Sequence, residues 1–136
     1  MSKAPLSELI FKKYHWMTGH IISQVQESQI PDLTTSQAII LAAISQGEHR
    51  PSAIAKQLGT SRQAVYKTMK ELQLKELVIQ RQDDTHQKAV IAELTEKGAA
   101  ADKLADDISK EMEKKMTEEF GKDSVKLLRK MLAAAW

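Results

Sequence analysis

Residues 53–72, AIAKQLGTSRQAVYKTMKEL, contain two short amphipathic segments on either side of Gly59. Glycine adopts the positive φ of a tight turn without a steric cost, which suits a three- or four-residue turn between two helices. Ala55 is small at the point where the first helix would cross the second, and Val65 and Leu72 share one face of the second helix. This spacing predicts a helix-turn-helix unit.

The opposite face of the second helix carries cationic and polar side chains, at about 100° of rotation per residue. Arginine, lysine and glutamine match the acceptor patterns of guanine and adenine in the major groove, and a helix N-terminus suits a phosphate. A solvated face without a partner is the alternative interpretation. We predict DNA contacts from Thr60, Ser61, Arg62, Gln63, Tyr66, Lys67 and Lys70.

The positive charge of the chain is concentrated around this segment. The net charge is only +2 over 136 residues, yet residues 50–92 carry eight Lys and Arg against four Asp and Glu. The flanking segments, 1–49 and 93–136, each have a net charge of −1. A local excess of this kind indicates a polyanionic partner more directly than the overall charge does.

The part of the chain before this segment predicts helices. Apolar residues recur at helical spacing over 6–29, so one amphipathic helix is expected there. Thr34 and Gln37 form the pattern of a capping box at the start of a second helix, which Gly47 should end. This helix is apolar nearly all round and is expected to be the central core helix. Pro51 suits the first position of a third helix.

The part after it predicts a β-hairpin and two more helices. Residues 78–82 and 89–94 are predicted to form two strands joined by a polar loop. Helix restarts from Thr95, breaks at Gly121 and continues to Trp136. A single hairpin attached to a three-helix unit is the winged helix-turn-helix arrangement, here in one domain spanning residues 1–136.

Several function classes are excluded by what the sequence lacks. Without cysteine there is no disulfide, no cysteine nucleophile and no cysteine-ligated zinc. There is no phosphate-binding glycine loop, HExxH or G-x-S-x-G motif, so we expect neither an enzyme nor a cofactor. No apolar run approaches the ~20 residues that span a bilayer, and the N-terminus lacks a signal-peptide pattern, so a cytoplasmic protein is expected.

Five motifs, in this order and spacing, resemble the MarR family of winged helix-turn-helix transcriptional regulators. They are Leu33-Thr34-Thr35-Ser36-Gln37, Ile54-Ala55-Lys56-Gln57-Leu58-Gly59-Thr60-Ser61, Val65 with Leu72, Leu77-Val78, and Leu94-Thr95-Glu96-Lys97-Gly98. The resemblance covers nearly the whole chain. It implies a fold that is mainly α with a small β-hairpin wing.

The resemblance also implies an assembly and a function. Residues 1–32 and 99–136 would form the dimerisation helices of a homodimer, and residues 33–98 a DNA-binding lobe. Each subunit would grip half of a pseudo-palindromic operator, with the recognition helix in the major groove and the wing on the backbone or in the minor groove. The favoured function is a repressor that a small-molecule ligand releases.

The apolar surface of the terminal helices supports a dimer independently. Leu6 to Val25, Ile108 to Phe120 and Val125 to Trp136 present more apolar surface than a small DNA-binding lobe can cover. An intramolecular helical bundle is the alternative.

The wing departs from the family pattern at two places. Glu76 stands where family members usually have glycine before Leu-Val. The family's Asp-x-Arg, whose arginine enters the minor groove, falls on His86 and Lys88, and a shift of two residues places it at Asp84-Thr85-His86 instead. Neither alignment provides the arginine, so Arg81, His86 and Lys88 are the candidate wing contacts. His86 could equally be a solvated loop histidine.

The family often binds small aromatic or phenolic acids between the dimer core and the DNA-binding lobe. Tyr14, His15, Trp16 and His20 are the candidate lining of such a pocket, although an aromatic stripe on a helix is more often core.

Two rival functions stay open. A metal-responsive regulator is disfavoured because His15 and His20 lie roughly 140° apart around a helix and no cysteine assists them. A winged-helix protein-interaction module without DNA binding should have lost the cations at 62, 67, 70 and 88, all of which are present.

Overall fold

The computed structural model describes residues 2–28, 32–85 and 90–136. Its elements are α1 (Leu6–Gln26), α2 (Thr35–Ser45), α3 (Pro51–Leu58), α4 (Arg62–Leu74), β1 (Val78–Gln82), β2 (Val90–Leu94), α5 (Glu96–Phe120) and α6 (Lys122–Ala133). The predicted order of elements and the mainly helical fold with one β-hairpin are therefore confirmed. Within these ranges, no helix is long and apolar enough to cross a membrane.

Two of the predicted helix ends are wrong. α1 ends at Gln26 rather than at residue 29, because the chain turns there and the N–H of Ser28 donates to the carbonyl of Val25 at 3.0 Å. α6 ends at Ala133 rather than at Trp136, since Ala134 is extended. The indole N–H of Trp136 donates to the carbonyl of Met131 at 2.9 Å, which satisfies one of the acceptors that a helix C-terminus leaves free.

The predicted capping residues account for where the helices start. Thr34 and Gln37 form the capping box of α2, in which each side chain accepts the backbone N–H of the other residue at 3.2 Å. Pro51 occupies the first turn of α3. Ser61 caps α4 by accepting the N–H of Ala64 at 3.1 Å, and Thr95 caps α5. The capping bonds fix where α2, α4 and α5 begin along the sequence.

Gly59 makes the turn between α3 and α4. Its φ of 65° and ψ of 31° place it in the left-handed region, as predicted. The following N–H, of Thr60, donates to the carbonyl of Ala55 at 3.0 Å and closes the end of α3. The backbone conformation is therefore the reason that glycine is favoured here, since a Cβ would meet no other atom within 4 Å.

The core lies where α2, α3, α4 and the hairpin meet. Its fully buried side chains include Leu41 and Ile44 of α2, Ile54 of α3, and Met69 of α4. The prediction that α2 is the central core helix is thus confirmed. α5 contributes only Ala101 to this cluster as a fully buried residue.

The hairpin is antiparallel, with Val78 opposite Leu94 and Gln82 opposite Val90. On its other edge, β2 bonds to the segment before α3: the N–H of Ala92 donates to the carbonyl of His49 at 2.7 Å, and Nδ1 of His49 donates to the carbonyl of Ala92 at 2.8 Å. This pairing attaches the hairpin to the helix-turn-helix. The predicted strand residue at position 89 lies outside the described residues.

The start of α5 packs tightly against the start of β1. A Cβ at Gly98 would lie 2.0 Å from the carbonyl oxygen of Leu77, so only glycine fits there. Thr95 reinforces the junction, because its hydroxyl donates to the carbonyl of Glu76 at 2.7 Å. Glu76 itself has a φ of 60°, the conformation that explains why glycine is expected at this position.

Candidate nucleic-acid interface

α4 has one buried face and one exposed face, as its sequence predicts. Val65, Met69 and Leu72 are completely buried against the core. The side chains on the other face, and the two residues that precede the helix, are all exposed: Thr60, Ser61, Arg62, Gln63, Tyr66, Lys67 and Lys70. The helix-turn-helix thus gathers all seven predicted contact residues on one surface element.

The cations on this face are available to a partner. Among the described residues, Arg62, Lys67 and Lys70 take part in none of the ion pairs. The hydroxyl of Ser61 caps the helix by accepting the N–H of Ala64. The other N–H groups in the first turn of a helix have no partner within the helix. The N-terminal end of α4 therefore combines available cations with backbone donors, which suits an anionic surface.

Arg81 lies on the wing but is not free. Its Nε and Nη2 donate to Oε1 of Glu93 on β2 at 3.0 and 2.8 Å, and Nη1 lies 3.4 Å from Oδ2 of Asp84. The hydrogen bond with Glu93 raises the pKa of Arg81 and lowers the pKa of the Glu93 carboxyl. The arginine charge is thus balanced by carboxylates on the same hairpin.

A further ion pair, which the sequence did not reveal, joins the loop end of the hairpin, directly after β1, to the helix-turn-helix. Nη2 of Arg50, just before α3, donates to Oδ2 of Asp83 at 2.7 Å. The other carboxylate oxygen of Asp83 accepts the backbone N–H and the hydroxyl of Thr85, at 3.0 and 2.7 Å. These bonds from Thr85, together with Arg50, hold the pKa of Asp83 well below its usual range.

Only part of this ion-pair arrangement could be recognised in the sequence. An aspartate followed two residues later by threonine is typical of a side-chain-stabilised turn, so the role of Asp83 was accessible in principle. Nothing local marks Arg50, since its partner is 33 residues away. His86 and Lys88, the other predicted wing contacts, lie outside the described residues.

A cavity of about 660 Å³ opens between α1, α2 and α5. Of the four side chains predicted to line a ligand pocket, Tyr14 lines it. His15 instead packs against Phe11, with ring centroids 4.4 Å apart, and Trp16 stacks on His20. The cavity wall also contains Asp102 and Asp106 of α5, which were not predicted because they lie far from Tyr14 in the sequence.

Among the described residues, histidines and carboxylates do not converge on a metal-binding geometry. In the part of the chain that the structure describes, no group of three or more such side chains could hold a metal ion. His49, for its part, is engaged with β2.

Comparison with known proteins identifies a family whose members share this helix-turn-helix. Residues 32–89 match the family model described as MarR family, and this range contains the complete helix-turn-helix and β1. The predicted resemblance to the MarR family is confirmed. No curated protein sequence matches the chain.

Solved MarR-family and related regulators share the fold over most of their length. Streptococcus pneumoniae FabT, solved in complex with DNA, is 17% identical, with 93% of this chain and 90% of that chain covered and a TM-score of 0.80. S. aureus MepR in its DNA complex is 20% identical, covering 96% and 94%, with a TM-score of 0.75. The transcriptional regulator BldR from Sulfolobus solfataricus is 22% identical, covering 94% and 92%, with a TM-score of 0.69. At these identities the likeness establishes the MarR-type winged helix fold.

Proposed function

We propose that this chain is a sequence-specific DNA-binding transcription regulator of the MarR type. The observation that carries the proposal is the exposed face of α4, where cations that join none of the described ion pairs lie above a fully buried apolar base. The DNA complexes of FabT and MepR, which have the same fold, support this interpretation.

In the proposed complex, α4 enters the major groove by its N-terminal end. Arg62 and Gln63 lie in the first turn and are assigned to base edges, where arginine pairs with guanine and glutamine with adenine. Lys67 and Lys70 lie further along the exposed face and are assigned to phosphates, which add affinity without sequence preference. Tyr66 can donate its hydroxyl to either.

The wing is proposed to contact the backbone next to α4. Arg81 is its described cation, and its pairing with Glu93 and Asp84 means that a phosphate must compete with two carboxylates. His86 and Lys88 remain proposed wing contacts. We therefore assign the wing a smaller share of the affinity than α4.

We further propose that the regulator is a homodimer built by the terminal helices, residues 1–32 and 99–136. Every residue of α6 is at least partly exposed, and large apolar side chains of α1 and α6, such as Phe11, Trp16 and Leu132, are more than half exposed. A second copy of the chain would bury these faces. Two recognition helices held about one DNA turn apart, ~34 Å, would read a pseudo-palindromic operator.

Repression relieved by a small aromatic ligand is the proposed mode of regulation. The cavity between α1, α2 and α5 joins a proposed dimerisation helix to the core helix beneath α4, and Tyr14 offers it an aromatic ring. A ligand there can shift the distance between the two recognition helices only as far as its affinity differs between the two states. His15, Trp16 and His20 would reach such a ligand only after rearranging their ring contacts.

Selection of bound sequences from random duplex DNA, repeated at two salt concentrations, tests the proposal. A palindromic consensus with half-sites one turn apart is expected, together with an affinity that falls steeply as salt rises. Equal binding of all sequences would leave a nonspecific DNA-binding protein. The absence of any DNA binding would instead favour a protein-interaction module.

A further inference from the structure

Gln37 is a buried glutamine at the start of α2, with only 3% of its surface exposed. Its Oε1 accepts the N–H of Thr34 at 3.2 Å and the ammonium of Lys75 at 2.6 Å. Its Nε2 donates to Oε2 of Glu71 at 2.9 Å. The side chain therefore does more than complete the capping box, because two of these partners come from the far end of α4.

Glu71 and Lys75 lie one helical turn apart, at the C-terminal end of α4. The ammonium of Lys75 also donates to the carbonyl of Asp32, which precedes α2. This end of α4 is thus bonded to the start of α2 through Gln37 and Asp32. The N-terminal end of α4 is held separately, by the Gly59 turn.

Apolar packing alone leaves the tilt of a helix weakly defined, because the hydrophobic effect is not directional. Hydrogen bonds are directional, and a buried amide that loses its partner costs free energy. The bonds from Gln37 therefore favour one angle of α4 over the other angles that its apolar face would tolerate.

We propose that Gln37 is a positioning residue for DNA recognition: through Glu71 and Lys75 it fixes the angle at which α4 presents its exposed face. The inference rests on the proposed function, since it deepens the role of α4. It assigns a part in recognition to a residue that no DNA can touch.

The two roles of Gln37 can be separated by substitution. Glutamate is as suitable as glutamine at this position of a capping box, so Gln37→Glu keeps the cap of α2. It removes the donor to Glu71 and brings two carboxylates together. In the double variant Gln37→Glu/Glu71→Gln, the new amide at position 71 can donate to the new carboxylate at position 37, so the bond is restored with reversed polarity.

The first measurement is the affinity for a selected duplex at fixed salt. We expect Gln37→Glu to weaken binding about tenfold, the size of a typical coupling within one hydrogen-bond network. The double variant should return to within about threefold of the wild type, the scale of ordinary surface substitutions. Gln73→Glu, an exposed change of equal charge on α4, is the matched control and should also stay within about threefold.

The second measurement is amide hydrogen exchange without DNA. Gln37→Glu should speed exchange over residues 70–76 and leave residues 108–116 of α5 unchanged, and the double variant should reverse the effect. Wild-type affinity of Gln37→Glu for the selected duplex would overturn the proposal, and so would unchanged exchange over residues 70–76. So would a loss as large for Gln73→Glu, or a double variant that does not recover.

The two measurements also separate this inference from the proposed function. If the wild-type protein binds no duplex, DNA recognition fails, and the exchange data alone decide whether Gln37 fixes α4. If the wild type binds a palindrome and Gln37→Glu binds it equally well, the function stands and the positioning role is wrong.

Discussion

Apolar side chains are buried to different extents in two regions of the molecule: the central unit, residues 33–98, and the terminal helices α1 and α6. The central unit buries Leu41, Ile54, Met69 and Leu77 within one chain. Of the fifteen large hydrophobic residues that are exposed among those described, eleven lie outside it, in α1, at the end of α5 or in α6 and the residues after it. This difference is the observation behind the proposed homodimer, because a second copy of the chain would cover apolar side chains that the terminal helices leave exposed.

The largest loss of stability is expected when one methyl group is added to the central unit. Gly98→Ala would place a Cβ 2.0 Å from the backbone carbonyl of Leu77, which cannot move aside as a side chain could. We expect the free energy of unfolding to fall by about 3 kcal/mol, measured by denaturant titration.

The same substitution in a terminal helix is the control. Gly19 lies within α1 and a Cβ there meets no atom within 4 Å, so Gly19→Ala should stabilise the helix by about 0.5–1 kcal/mol. Equal effects at the two glycines would contradict the close packing of α5 on β1.

The proposed homodimer is tested by introducing a charge on α6. Leu132→Glu should raise the dissociation constant of the dimer by at least about tenfold, because a carboxylate would be buried at the interface. Sedimentation equilibrium measures this constant. Leu74→Glu, at an 86% exposed leucine of α4, should leave it unchanged. A wild-type protein that stays monomeric at micromolar concentration would refute the homodimer.

On the exposed face of α4, each lysine that contacts a phosphate should make its own contribution to DNA binding. Lys67→Ala is expected to weaken binding of all duplexes alike and to lower the slope of log K against log salt by about one unit. Lys115→Ala removes the same charge from an exposed position on α5 and should leave the slope unchanged. Identical slopes for all three proteins would exclude a phosphate contact at Lys67.

The smallest expected effect concerns the end of α4. Glu76 has a φ of 60°, so Glu76→Gly should relieve a left-handed conformation and stabilise the protein by about 1 kcal/mol. Glu118→Gly, within α5, should destabilise by a similar amount, about 1 kcal/mol. Thermal unfolding distinguishes the two signs, and destabilisation by both changes would show that the side chain of Glu76 matters more than its backbone.

The features that could be predicted from the sequence are those whose causes are local. Thr34 with Gln37, Gly59, Ser61 and Thr95 each act within a few residues, so the helix starts and the turn follow from short stretches of the chain. The exposed face of α4 followed from the helical period alone.

Features that depend on distant residues could not be predicted. The ion pair of Arg50 with Asp83 and the bond from Gln37 to Glu71 join residues more than thirty positions apart. The placement of Tyr14, but not Trp16, on the cavity depends on how α1 packs against α5. The end of α6 was overestimated because Ala133, Ala134 and Ala135 favour helix by their composition, whereas the backbone of Ala134 is extended.

Site-directed DNA cleavage tests most directly whether α4 enters the groove. Because the chain contains no cysteine, Ala64→Cys, at an exposed residue in the first turn of α4 that has no assigned DNA contact, can carry a single iron chelate that cuts DNA near the start of α4. On a selected duplex, the labelled protein should cut at two symmetric positions about one helical turn apart, and the same chelate at Lys115→Cys should cut neither. Cleavage spread evenly along the duplex, or stronger cleavage from position 115, would contradict the claim that α4 is the recognition helix.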